Sequence, residues 1–257
     1  NLRDKRQKNA AAVKPFSWSH TTAAAENILK YDGTTNIHGN AKTWAAKNEY
    51  DGIDIRVTGV DGGYYTDTTE ALVLNNQTLN VKGKGKFVSI INTAQNKQID
   101  NNGGIYAKGG STVNFTDVDS IYIAAIAGKE GGNDSTVISA KDPGRDFKGY
   151  TNIVNISGNT VQLIGSIDVM HSLGSVFFNR NARHTVNAAL SGSDSFWYGS
   201  AIGEVENTSE VNISLSSGAT WIINPHGAVS VSNLNILGYV GDKSGGKRLS
   251  HLTLDQG

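Results

Sequence analysis

A short strand pattern recurs along the second half of this chain and constrains its fold more than any other feature. Successive copies of an asparagine flanked by apolar residues are 41, 32, 25 and 23 residues apart. Self-similarity at a period of about 20 to 50 residues is typical of solenoids. The copies lie at residues 112–115, 153–156, 185–188, 211–213 and 234–236, and most precede a Gly/Ser/Asn turn. With hardly any helical periodicity, the sequence predicts an all-β fold, a right-handed parallel β-helix.

The repeated asparagine has a structural interpretation. Asparagines at equivalent positions of successive rungs can stack into a ladder in which each side-chain amide bonds to the next. We therefore expect Asn114, Asn155, Asn187, Asn212 and Asn235 to form such a ladder.

Composition excludes several classes of protein. The 257 residues carry no net charge, which argues against bulk electrostatic affinity for nucleic acid or anionic membrane. The absence of cysteine excludes disulfides and Cys-ligated zinc. It suits a cytosolic protein, and equally a protein secreted as an unfolded chain. No apolar run approaches the roughly 18 residues that a membrane helix needs, so no transmembrane segment is predicted.

The chain divides into a divergent N-terminal segment and a regular array. Residues 1–70 match no rung and are predicted to be a cap or irregular segment, whereas residues 71–257 are predicted to be β-helix rungs. The segments 87–91, 121–123, 160–164 and 219–223 read as the second strands of successive rungs. Residues 128–150 are predicted to be the longest loop, where function often resides.

Three segments near the C-terminal end carry a family resemblance. Ser217-Gly218-Ala219-Thr220-Trp221 is followed by the apolar-rich stretch 228–238 and then by a Leu-Thr-Leu strand at 252–254. Their order resembles the end of the passenger domains of pertactin-like autotransporters of Gram-negative bacteria. The resemblance implies a surface-exposed β-helix secreted through the outer membrane, most often an adhesin. Because such passengers continue into further rungs and a barrel, this chain is expected to stop within the rungs.

Many β-helices are polysaccharide lyases or hydrolases, which need clustered acids. Asp117 and Asp119 are spaced to share one face of a strand and form the best candidate acid pair, although a solvated strand face is the commoner reason for such a pair. The loop residues Asp134, Asp142 and Asp146 suit turns or calcium. No catalytic motif, cofactor site or metal site is predicted.

Binding residues are better indicated than catalytic ones. Lys82, Lys84 and Lys86 alternate and would place three ammonium groups on one strand face, and Arg180, Arg183 and His184 form a second basic group. Either could hold an acidic glycan, or be an ordinary soluble surface. Aromatic alternatives are Trp197 in the triplet 196–198 and the loop pair Tyr64 and Tyr65. For the triplet, a place in the core or in a stack between rungs is the commoner interpretation.

The resemblance, together with the lack of a catalytic motif, implies a bacterial cell-surface adhesin passenger rather than an enzyme. Its partner would be a host glycan, possibly acidic, or a matrix or cell-surface protein. A polysaccharide-active enzyme is the first alternative. Self-association between cells, leading to aggregation or biofilm, is the second.

Overall fold

The computed structural model describes residues 27–36, 42–43, 48–60, 69–94, 102–126, 136–141, 149–169, 183–202, 209–223, 234–235, 239–240 and 251–255. The strands in these residues are, in chain order, β1 Ile28–Asn36, β2 Lys42–Thr43, β3 Gly52–Val60, β4 Thr69–Asn75, β5 Thr78–Lys82, β6 Phe87–Ala94, β7 Asn102–Lys108, β8 Thr112–Ile126, β9 Thr136–Ala140, β10 Ile153–Ile164, β11 Ser166–Asp168, β12 Thr185–Ser191, β13 Phe196–Gly199, β14 Ala201–Ile202, β15 Glu210–Ser216, β16 Thr220–Ile223, β17 Leu234–Asn235, β18 Tyr239–Val240 and β19 His251–Asp255.

The strands of the β-helix form three faces, and within each face neighbouring strands pair in parallel. The amide face contains β5, the first half of β8, the first half of β10, β12, β15 and β19. The second face contains β1, β3, β6, the second halves of β8 and β10, β13 and β16. The third face has the order β14-β11-β9-β7-β4-β2. This arrangement confirms the predicted parallel β-helix, and its right-handed winding stays a prediction.

The core consists of columns of apolar side chains that point inward from each face. On the amide face, Leu79, Val113, Val154, Val186 and Val211 stand in register and are buried. Equivalent buried columns run along the other two faces. Because side chains alternate along a strand, the residues between these columns point away from the core. Burial of one apolar set per face fixes the register, since a slip of one residue would expose the whole set.

The corner between the amide face and the second face is built in two ways. In β8 the backbone bends at Asp117, whose φ is +57°, and in β10 the pairing register shifts between Ile156 and Gly158. Between β5 and β6 the chain instead leaves the strand at Gly83 and Gly85, with φ values of +96° and +77°. Glycine suits such left-handed positions because it has no Cβ.

Part of the second face is also covered on its outer side. Tyr122, Ala124, Ile164 and Tyr198 form a small buried cluster, separate from the main core. Tyr122 alternates with Ile121 and Ile123 of the main core, so its side chain points outward yet is only 4% exposed. This desolvation raises the pKa of the Tyr122 phenol above its ordinary value.

Three details differ from the sequence-based expectations. Parallel pairing begins at β1 and β3, so the stack starts earlier than the predicted boundary at residue 70. The predicted loop 128–150 contains β9, a largely buried strand of the third face, because its apolar residues complete a core column. The fifth copy of the repeat, at Asn235, pairs antiparallel with β18, and β19 takes the next place beside β15.

Candidate functional site

The described asparagines of the repeat form a continuous hydrogen-bonded ladder on the outside of the amide face. Asn114 Nδ2 donates to Asn80 Oδ1 at 2.9 Å, and Asn155 Nδ2 donates to Asn114 Oδ1 at 2.8 Å. Asn187 Nδ2 continues to Asn155 Oδ1 at 2.8 Å, and Asn212 Nδ2 to Asn187 Oδ1 at 2.9 Å. The predicted ladder is confirmed for four of its expected members, and Asn80 extends it at the N-terminal end.

The ladder uses only half of the hydrogen-bonding capacity of each interior amide. A side-chain amide has two N–H donors and an oxygen with two lone pairs. Asn114, Asn155 and Asn187 each spend one donor and one lone pair within the ladder. In a planar amide, the N–H anti to the carbonyl continues such a column, and the other N–H points away from Cβ. All three side chains are half-buried, so one N–H and one lone pair of each stay outside the ladder bonds and can meet a ligand. Asn212 differs, because its Nδ2 donates to both Asn187 and Glu210 and its Oδ1 is buried without a partner among the described residues.

A shallow groove runs beside the C-terminal half of the ladder. The next outward position of each strand carries a small residue, and Ser157, Ala189 and Ser214 stand in register. These small side chains leave a depression of about 350 Å³ bordered by Asn155, Asn187 and Asn212, among others. No charged residue is among the groove's lining residues within the described part of the chain.

The charged groups of the amide face lie at its margins. Glu210 Oε2 accepts a 3.3 Å hydrogen bond from Asn212 Nδ2 and stands in register with Thr185. Lys82 ends β5, and Arg183 precedes β12, and both are exposed. The strands β8 and β10 separate those two cations, so they are not one basic cluster.

The predicted ladder of three lysines on one strand is wrong. β5 ends at Lys82, and Lys84 lies in the glycine turn. Lys86 Nζ is 3.5 Å from Asp51 Oδ1. The two glycines at positive φ break the alternation on which the interpretation depended.

The members of the second predicted basic group do not share one surface in the described residues. His184 is fully buried, and its Nδ1 lies 3.1 Å from Asn152 Nδ2. It belongs to a polar column inside the corner that precedes the amide face. In that column, Asn152 Oδ1 accepts the backbone N–H groups of Gly110 and Ser111, both at 2.9 Å. Arg183 is exposed, and Arg180 lies outside the described residues.

The aromatic candidate Trp197 is a core residue. Its side chain is fully buried and its ring stacks on that of Trp221, with centroids 4.9 Å apart and planes inclined by 4°. Trp197 Nε1 donates to Gly165 O at 2.9 Å. The ring is therefore stacked between rungs and its N–H is hydrogen-bonded inside the protein, so a sugar has no access to the Trp197 side chain. The pair Tyr64 and Tyr65 lies outside the described residues.

The candidate acid pair does not have the geometry expected of a flat strand. Asp117 occupies the left-handed corner of β8, and Asp119 Oδ1 accepts the backbone N–H of Gly85 at 3.0 Å. A different carboxylate, that of Asp168 on the third face, pairs with Lys141 Nζ. Across the described ranges, no group of three or more His, Asp or Glu side chains could hold a metal ion. The loop aspartates considered for calcium lie outside these ranges.

Sequence reasoning missed the groove, although the signal for it is present. Once the asparagines are aligned, the residue two positions later is Lys82, Thr116, Ser157, Ala189 or Ser214. The trend toward small residues is visible only in this alignment. Among the described residues, no helix is long and apolar enough to cross a membrane. No family model, curated protein or solved structure matches the chain.

Proposed function

We propose that this chain is the adhesive β-helical passenger of a bacterial cell-surface protein and that its amide face is the binding surface. The observation that carries the proposal is the row of outward amide donors and acceptors beside a groove of about 350 Å³. A rigid stack holds these groups at fixed spacing, so a partner binds without ordering the site. The cysteine-free sequence fits secretion as an unfolded chain.

An adhesion assay tests this proposal. Beads coated with the protein are offered surfaces bearing host glycans, matrix proteins or cell-surface proteins. The matched variants are Ala189→Arg, which fills the groove from an exposed position, and Thr220→Arg, at an exposed position of the second face. We expect retention on at least one surface, lost with Ala189→Arg and kept with Thr220→Arg. If the coated beads adhere to no surface better than uncoated beads, the proposal fails.

Self-association is the second candidate, because the row of outward groups is self-complementary. Each interior rung offers both a donor and an acceptor, so two amide faces could pair with each other. Sedimentation of the purified protein at increasing concentration distinguishes the candidates. A dimer that Ala189→Arg dissociates, together with adhesion only between protein-coated beads, favours self-association over a host ligand.

An enzyme acting on polysaccharides is the remaining alternative. Asp117 and Asp119 are its best candidate acids on the described strands, although they lack the same-face geometry predicted for them. Incubation with neutral and uronate-containing polysaccharides tests this alternative. Release of reducing ends or unsaturated products that disappears with Asp119→Asn would establish the enzyme and overturn the adhesin.

A further inference from the structure

We propose that the groove of the amide face binds an extended neutral polysaccharide that lies along the axis of the β-helix. This inference rests on the adhesive function proposed above and specifies its ligand. Three features carry it: the hydrogen-bonding character of the ladder, the absence of charge among the described residues that line the groove, and the spacing of the rungs.

The hydrogen-bonding character favours hydroxyl groups. An interior asparagine presents an N–H donor and an oxygen acceptor side by side. A hydroxyl accepts from the former and donates to the latter. A carboxylate or sulfate only accepts, and would face the Oδ1 atoms without a proton to offer. An ammonium group only donates and would leave the N–H groups unpaired. A chain rich in hydroxyls is therefore the ligand that satisfies the complete row.

The charge distribution around the groove independently favours a neutral ligand. The groove lining includes three ladder amides, Ser157 and Ser214, and no charged side chain within the described residues. An acidic glycan needs compensating cations, and the charged group in contact with the ladder is the carboxylate of Glu210. That carboxylate repels an anionic chain at the C-terminal end of the groove. The exposed Lys82 stands in register with Thr116 at the N-terminal end of the groove but is not one of its lining residues. Lys86 Nζ lies 3.5 Å from Asp51 Oδ1.

The spacing separates a polysaccharide from a peptide. Neighbouring strands lie about 4.7–4.9 Å apart, so the outward amides repeat at that interval along the axis. An extended peptide rises about 3.3–3.4 Å per residue, and its same-side groups therefore repeat at roughly 6.7 Å. A peptide along the axis falls out of step within two rungs. Successive rings of an extended β-1,4-linked polysaccharide are turned over, so its same-side hydroxyl groups recur at every second ring. That interval is close to two rungs, and such a chain therefore stays in step with alternate amides.

Calorimetric titration with two cellulose ethers tests the inference. Hydroxyethylcellulose and carboxymethylcellulose share the same extended backbone and differ in charge, and dextran is a neutral but flexible control. We expect hydroxyethylcellulose to bind more tightly than the other two, with less than a twofold change between low and high salt. Ala189→Arg should weaken this binding at least tenfold, and Thr220→Arg should leave it unchanged. Ser214→Arg is a second groove variant, and circular dichroism confirms that each variant is folded.

Three results would refute the proposed ligand while leaving the proposed adhesive function intact. Tighter binding of carboxymethylcellulose that is lost at high salt would show an acidic-glycan site. Hydroxyethylcellulose binding that survives both groove variants would place the site elsewhere. Adhesion to proteins with no binding to any of the three polysaccharides would refute the ligand class alone, whereas loss of all adhesion would refute the function as well.

Discussion

Replacing one interior rung of the ladder gives the sharpest energetic prediction. Asn155→Ala removes two hydrogen bonds, the 2.8 Å donation to Asn114 Oδ1 and the 2.8 Å acceptance from Asn187 Nδ2. An intramolecular hydrogen bond contributes a net 0.5–1.5 kcal/mol or so. Because Asn114 and Asn187 are only half-buried residues, we expect water to restore part of the lost bonding. We expect a loss of about 2 kcal/mol in the free energy of unfolding.

Two other asparagines provide internal controls. Asn212→Ala removes one ladder bond and the longer 3.3 Å bond to Glu210, so it should cost about 1 kcal/mol, less than the loss of two ladder bonds. Asn152 lies three residues before Asn155 but is fully buried, and its Oδ1 accepts two backbone N–H groups. Asn152→Ala leaves the buried N–H of Ser111 and the partly buried N–H of Gly110 without that partner, and should cost about 3 kcal/mol.

Guanidinium unfolding followed by far-UV circular dichroism measures the series. The midpoints should fall in the order Asn212→Ala, Asn155→Ala, Asn152→Ala, with an unchanged dependence of free energy on denaturant. Equal effects at Asn155 and Asn212, or a loss below about 0.5 kcal/mol at Asn155, would show that the ladder does not stabilise the fold as argued.

Further predictions follow from the core and the margins. Trp197→Ala should lower the free energy of unfolding by about 3–5 kcal/mol in thermal or denaturant unfolding, because it empties a fully buried, stacked position; a soluble, equally stable variant would contradict this. The raised pKa of Tyr122 means that the folded protein keeps a proton that the unfolded chain releases near pH 10. The contribution of Tyr122 to the free energy of unfolding should therefore be fully present below pH 10 and decrease as the pH rises toward the folded pKa. Tyr122→Phe should reduce this decrease. Combined Lys82→Ala and Lys84→Ala should change the free energy of unfolding by less than about 0.5 kcal/mol and leave hydroxyethylcellulose binding intact; a tenfold weaker affinity would restore the acidic-glycan interpretation.

The fold could be predicted well from the sequence because the repeat pattern marks both the inward and the outward residues of a strand. In a segment such as 112–115, the apolar residues mark the inward column and Asn114 marks the outward one. The asparagine ladder follows from the same pattern, since parallel in-register strands place equivalent residues next to each other. The prediction failed at Asn235, because a three-residue match does not specify which strand it pairs with.

The candidate binding residues were predicted poorly, for a consistent physical reason. Their interpretation depended on alternation along a single strand, and the corners of a β-helix interrupt that alternation. Gly83 and Gly85 turn the chain between the lysines. The left-handed backbone at Asp117 breaks the alternation that would have placed Asp117 and Asp119 on one face. Trp197 was ambiguous because the sequence does not indicate which member of an aromatic triplet faces the core. The groove depends on residues from several turns, and only the register brings Ser157, Ala189 and Ser214 together.

Side-chain amide hydrogen exchange, measured by NMR, separates the two roles proposed for the ladder. Each interior asparagine should hold one N–H in the ladder and present the other to a ligand. For Asn155 and Asn187, the two protons on one Nδ2 should exchange with solvent at rates differing by at least tenfold, and hydroxyethylcellulose oligomers should slow only the faster one. Equal fast exchange of both protons would contradict the ladder. Two unequal rates that the oligomers leave unchanged would contradict its role in binding.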